Sequence, residues 1–99
     1  MATSAPVVVP AVVLAECARG GPHDAPIHRL LASAHVAAVG ARIAFAAGVL
    51  LAETGMSATV DALVAAEALR GGPCVVLTSD PADLEALVGK RPDVQVIAV

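Results

Sequence analysis

The stretch Cys74-Val75-Val76-Leu77-Thr78-Ser79-Asp80-Pro81-Ala82-Asp83-Leu84 decides the fold. Its first four residues are apolar and rich in β-branched side chains, which suits a short buried strand. Thr78-Ser79-Asp80-Pro81 then turns the chain, and proline at a first helical position predicts a helix from there to about Gly89. Working outward, Gly71-Gly72-Pro73 breaks whatever precedes the strand. Before that break, Thr59 can cap a helix in which Val60, Leu63, Val64 and Ala68 face inward and Glu67 and Arg70 face out. After the helix, Val94 to Val99 reads as a last strand.

The first half repeats this logic. Val7-Val8-Val9 is a β-branched run that stops at Pro10, and a helix carrying Leu14, Glu16 and Cys17 follows. Gly20-Gly21-Pro22 ends that helix. Asp24-Ala25-Pro26 starts another, with Ile27, Leu30 and Leu31 at helical spacing. His35 to Val39 is a second strand, and Ala41 to Glu53 an almost wholly apolar helix closed by Thr54-Gly55. The order βααβααβαβ, with strands apolar throughout, predicts an α/β fold whose parallel sheet is covered by helices on both faces. No repeat, linker or composition shift divides the chain, so residues 1–99 are expected to form one domain.

Composition excludes several function classes. Apolar residues make up 58% of the 99 positions, charged ones only 15%, and Phe45 is the only aromatic. Disorder is thereby excluded and an aliphatic core expected. The longest uninterrupted apolar run, Ile43 to Ala52, spans ten residues between Arg42 and Glu53. That is too short to cross a bilayer. Residues 1–6 offer no basic segment before Val7 to begin a secretory signal, so a cytoplasmic protein without a membrane partner is expected. A net charge of −3 argues against binding nucleic acid mainly by neutralising phosphates. Arg19, Arg29, Arg42 and Arg70 are scattered and read as solvated surface. Cys17 and Cys74 lie far apart in apolar stretches and read as reduced core thiols, and His23, His28 and His35 lack zinc-ligand spacing.

Ligands of parallel α/β sheets collect at the carboxyl ends of the strands. Three acids meet that rule: Asp80 just after a strand, Asp61 in the first turn of a helix, and Glu16 in the helix after Val7–Val9. Each has another reading. Asp80, before Pro81 and with Asp83 three residues on, also suits a helix N-cap. Asp61 also suits opposition to a helix dipole. Glu16, within the apolar stretch Ala11 to Ala18, is costly to bury without a charged partner but can lie on the solvated side.

Three segments together resemble the PIN-domain family, and within it the VapC-type toxin ribonucleases of bacteria. They are Val8-Val9-Pro10-Ala11-Val12-Val13-Leu14-Ala15-Glu16, Thr59-Val60-Asp61-Ala62-Leu63-Val64-Ala65, and Val75-Val76-Leu77-Thr78-Ser79-Asp80-Pro81-Ala82-Asp83-Leu84. Ala47-Gly48 in the apolar helix and the Thr54-Gly55 turn extend the likeness over the later three quarters of that domain. The resemblance implies a three-layer α/β/α PIN-like domain, here partial, with four strands recognisable. Family members open with an apolar strand ending in Asp, and nothing in residues 1–6 matches it. That strand would be central, between Val7–Val9 and Cys74–Leu77, so a truncated or degenerate form is implied.

The resemblance also implies a magnesium- or manganese-dependent endoribonuclease. Glu16, Asp61 and Asp80 would be catalytic metal ligands, Asp83 an additional ligand, and Thr78 or Ser79 would help order the metal shell. Hard cations prefer carboxylate oxygens, and a bound ion can activate water and stabilise charge on a phosphate. The implied partners are RNA, a cognate antitoxin that inserts a side chain or strand near the metal, and a second copy of the chain. The competing expectation is a non-catalytic module of a toxin-antitoxin system, in which Ala41–Leu51 mediates dimerisation or antitoxin binding and the acids only cap helices. A small regulatory α/β domain is a third reading, which no Gly-rich phosphate loop supports, since Gly71-Gly72-Pro73 precedes a strand.

Overall fold

A computed structural model describes residues 7–99, so the expectations for residues 1–6 lie outside the described residues. The element order is β1 (Val7–Pro10), α1 (Ala11–Cys17), a 3₁₀ turn (Pro22–Asp24), α2 (Ala25–Leu31), β2 (Ala34–Ala37), α3 (Ala41–Thr54), α4 (Thr59–Arg70), β3 (Cys74–Thr78), α5 (Pro81–Val88) and β4 (Val94–Ala98). The fold is mixed α/β with parallel strand pairing. The four strands form two separate two-stranded ladders, β1 with β2 and β3 with β4, where the sequence predicts one sheet. The chain likewise divides into two compact units, the first ending at Val39 and the second spanning Gly40–Val99.

In the first unit, Val7 pairs with Ala34 and Pro10 with Ala37. Its connection back to β2 is held by Asp24, whose burial is unusual for an aspartate (5% exposed). The carboxylate accepts a hydrogen bond from the Gly20 amide at 2.7 Å and another from the Arg19 amide at 3.0 Å. These two backbone donors, Gly20 first and Arg19 second, hold the Asp24 carboxyl below its ordinary value. Gly20 has φ +80°, a conformation that turns its amide with its neighbour's toward one anion and is open mainly to glycine. Sequence reading assigned Asp24 only the start of a helix.

The second unit has one core, built from Ala47, Leu50, Ala62, Ala65, Ala66, Leu84, Leu87, Val88 and Val94. The fully buried face of α4 is alanine; of the residues expected to face inward, Leu63, Val64 and Ala68 are half-buried and pack against this core, and Val60 is half-buried. Short side chains there let α3 and α5 pack closely on α4. Thr59 is the first helical residue rather than the cap, and its hydroxyl donates instead toward the Ser57 carbonyl. Helix α3 ends at Gly55 in the left-handed conformation, its amide closing on the Leu51 carbonyl at 2.9 Å.

Strand β3 alternates. Cys74, Val76 and Thr78 are half-buried, while Val75 and Leu77 are 53% and 65% exposed. Cys74 and Val76 pack on the core that α3, α4 and α5 supply. Cover on both faces, inferred from apolar continuity, is thus not found for this ladder. Two strands expose one face when every helix of their unit joins the same core.

Cys74 pairs with Val94 and Thr78 with Ala98, and the Val99 amide donates to the Thr78 carbonyl at 2.9 Å. This fastens the strand at the point where it runs into the Asp80 turn. Among the described residues, no single helix is long and apolar enough to cross a membrane.

Candidate metal centre

The carboxylates of Asp61, Asp80 and Asp83 gather in the second unit. One oxygen from each lies within 4.8 Å of the others. Each position follows from local structure. Asp61 is in the first turn of α4, Asp83 in the first turn of α5, and Asp80 is the residue immediately before α5. Two helix N-termini thus face one set of acids, and their partial positive charges offset part of the repulsion among three carboxylates. Asp80 also follows the carboxyl end of β3, where parallel α/β units present their ligands.

Asp80 takes the N-cap position of α5, but its side chain makes no cap hydrogen bond to the helix. Its backbone amide donates to the Thr78 hydroxyl at 3.0 Å, which fixes the turn between strand and helix. Thr78 thereby fixes the backbone of Asp80. Asp61 and Asp83 are half-buried and Asp80 is exposed, so the cluster is open to solvent on one side.

Glu16 is exposed on α1 of the first unit, the solvated alternative that its sequence left open. The cluster of three aspartates is drawn wholly from α4, α5 and the turn before α5, within the second unit. Asp83, which sequence reading ranked as an additional acid, is therefore as central here as Asp61 and Asp80. A signal was available in its spacing. Positions 80 and 83 straddle the start of a helix, where an N-cap and a first-turn residue lie side by side.

The donor set fits a hard divalent cation. An octahedral magnesium with oxygens at about 2.1 Å places neighbouring ligand oxygens about 3 Å apart and opposite ones about 4 Å apart. Carboxylate oxygens within 4.8 Å of one another lie on the scale of those spacings. Three carboxylates also leave coordination positions for water, which magnesium retains in most of its protein sites.

No family model, curated protein or solved structure matches this chain. The functional argument therefore rests on the acids and on the surface around them.

One of the two cysteine expectations needs adjustment. Cys17 is exposed at the end of α1, so it is not a core thiol. Cys74 is half-buried, with its sulfur 3.5 Å from the Ala68 carbonyl. Burial pushes the Cys74 thiol pKa up, and the nearby Asp93 charge pushes it the same way.

Of the four arginines read as scattered, Arg42 and Arg70 come to one groove, where Arg91 joins them. Arg42, Arg70 and Arg91 line a single open groove of about 550 Å³, together with Ala46, Val49 and Glu53 of α3. Arg70 is engaged by Glu67 of its own helix at 2.8 Å. None of the three clustered aspartates lines this groove.

Proposed function

We propose that this protein is a PIN-like, VapC-type endoribonuclease that uses magnesium or manganese held by Asp61, Asp80 and Asp83. The observation that carries the reading is the convergence of these carboxylates at two helix N-termini beside a strand end. The sequence resemblance supplies the reaction class. A bound cation would supply a polarised water and neutralise charge on the phosphodiester under attack.

The chain's own groups have separable parts in this reading. Asp61 and Asp83, half-buried on rigid first turns, set the position of the cation. Asp80, exposed and tied through its amide to Thr78, is the ligand nearest solvent and the approaching RNA. Glu16 takes a ligand's role by resemblance alone. A cognate antitoxin is the implied protein partner, and it would silence the enzyme by occupying the open side of the acids.

The test is manganese titration by calorimetry together with cleavage of a structured RNA. Saturable binding that Asp61→Asn, Asp80→Asn and Asp83→Asn each weaken, with cleavage lost in parallel and retained folding, is the expected result. Binding that survives all three substitutions overturns the metal site. Metal binding without cleavage by any preparation overturns the nuclease reading and favours a non-catalytic interaction module. Glu16→Gln, measured alongside, reports whether that residue adds to the affinity.

A further inference from the structure

Helix α3 forms one wall of the groove that Arg42, Arg70 and Arg91 line, and the metal reading makes no use of it. Those three are half of the six cationic residues in a chain of net charge −3. At 100° per residue, Arg42, Ala46, Val49 and Glu53 fall along one stripe of α3, so the groove follows the helix for about 16 Å. Between those charged ends the lining is aliphatic, with Ile43 and Leu50 of α3 and Leu69 of α4 beside Ala46 and Val49. A volume of about 550 Å³ over an aliphatic floor with a charged rim is on the scale of a small-molecule site. Among the described residues no aromatic side chain lines it, so a planar ring has nothing to stack on.

The charges on the rim are unequally balanced. Arg70 is held by Glu67, through Nε at 2.8 Å and Nη2 at 3.3 Å. Glu53 and Arg91 share a second, smaller hollow, where their opposite charges stand together. Asp93 lies near Cys74, and its charge helps to raise the pKa of that thiol. Arg42 has no such neighbour. Among the described residues it makes no ion pair. As the second residue of α3 it also opposes the helix dipole, which disfavours a cation at that end. An anion bound at Arg42 would offset that cost and give the guanidinium its missing counter-charge.

We propose that this groove binds a linear aliphatic monocarboxylate, with its head on Arg42 and its tail along Ala46, Val49 and Leu50. The inference stands apart from the metal reading and shares no residue with it. A guanidinium takes a carboxylate through two parallel N–H···O bonds, which fixes the head. The tail removes apolar surface from water on both sides of the contact, and this drives association. Glu53 sets the polarity of the ligand. At the far end of the stripe it repels a second negative group, so a dicarboxylate of the same length is refused. A cationic amphiphile fares worse than the monocarboxylate too, because Glu53 already has Arg91 beside it whereas Arg42 has no counter-charge.

Calorimetric titration of the full chain with decanoate, below its micelle threshold and in chelator, tests the site, with circular dichroism confirming that each variant is folded. Chelator keeps metal off the aspartates, so the outcome is independent of the nuclease reading. Decanoate is expected to bind saturably, one per chain, and decanol, sebacate and decyltrimethylammonium to bind weaker by about tenfold or more. Arg42→Gln should weaken decanoate by about tenfold and leave decanol unchanged, a split that damage to the fold would not produce. Arg42→Lys should keep part of the affinity. Val49→Glu, at a position 57% exposed, should abolish binding by placing a charge under the tail. No saturable binding of decanoate overturns the proposal, as it would if a second copy or another protein fills the groove. Sebacate or decyltrimethylammonium binding as tightly as decanoate, or a decanoate affinity indifferent to Arg42→Gln, overturns it equally.

Discussion

Three carboxylates held within 4.8 Å of one another repel when no cation is present, and this makes Asp80→Asn a sharp test of the cluster. At that separation two unit charges in a water-like medium interact by about 0.9 kcal/mol. Asp80 takes part in two such pairs and is exposed, so a high dielectric is the right choice. Neutralising it relieves at most about 1.7 kcal/mol of repulsion by the same arithmetic, and less as salt screens the pairs. Against this stands the lost attraction to the α5 N-terminus, about 0.3–1 kcal/mol. No cap hydrogen bond is forfeited, because the Asp80 side chain makes none.

The variant should therefore be more stable than wild type in chelator at low ionic strength, by up to about 1 kcal/mol. Addition of metal reverses the order. With a dissociation constant of about 1 mM, magnesium at about 10 mM stabilises a binding-competent protein by about 1.4 kcal/mol, and the variant gains little of that. Urea unfolding followed by circular dichroism, with chelator and then with magnesium, reads both signs. A variant less stable than wild type in chelator, or a stability difference indifferent to magnesium, would refute the reasoning.

Further outcomes follow from other parts of the structure. Leu87, 2% exposed on α5, should cost about 2–5 kcal/mol when changed to Ala, and manganese affinity should fall with the seating of α5; unfolding curves and calorimetry check both. Asp24 has a depressed carboxyl pKa in the fold, so its contribution is present above the unfolded value near 3.8 and is lost as pH falls through the folded value. Asp24→Asn should thus destabilise at pH 7 and match wild type at strongly acid pH, where urea midpoints compared at both ends give the answer. A thiol reagent at neutral pH should modify exposed Cys17 quickly and Cys74 slowly, since burial and Asp93 disfavour the Cys74 thiolate; mass spectrometry of the labelled peptides distinguishes them.

The element order was legible because punctuation in this chain is strong. Pro10, Gly20-Gly21-Pro22, Gly71-Gly72-Pro73 and Asp80-Pro81 each stop or start an element within a residue or two of the observed boundary. Face assignment was less legible. Valine and leucine sit all around α4, so periodicity favoured the larger side chains as its innermost residues, while close helix packing buries Ala62, Ala65 and Ala66 most deeply and leaves Leu63 and Val64 at the edge of the core. Sheet organisation was hidden for a related reason: Val75 and Leu77 are as apolar as Val76, and an apolar strand reads as covered on both faces even where one face is open. Within the site, Asp61 and Asp80 followed from their places at element ends. The equal standing of Asp83 depended on how α4 and α5 converge, and so did the gathering of Arg42, Arg70 and Arg91 around one groove.

The alanine face of α4 and the acid cluster are one design. Three carboxylates cannot be brought together on a flexible support, because their repulsion would spread them; they need starts of elements whose separation is fixed elsewhere. That separation is fixed by packing. Ala65 is fully buried, Ala66 nearly so, and Leu84 and Leu87 of α5 join them in the same core. Small residues on one helix and leucines on the other hold the two N-termini at a defined distance, much as alternating large and small side chains fill a well-packed interior. The strand contributes the third constraint, since the Val99 amide pins Thr78 and the Thr78 hydroxyl receives the Asp80 amide. The free energy of core packing is in this way transmitted to the charged end of the unit, and the cation proposed for this site would return part of it by cancelling the repulsion that the packing enforces.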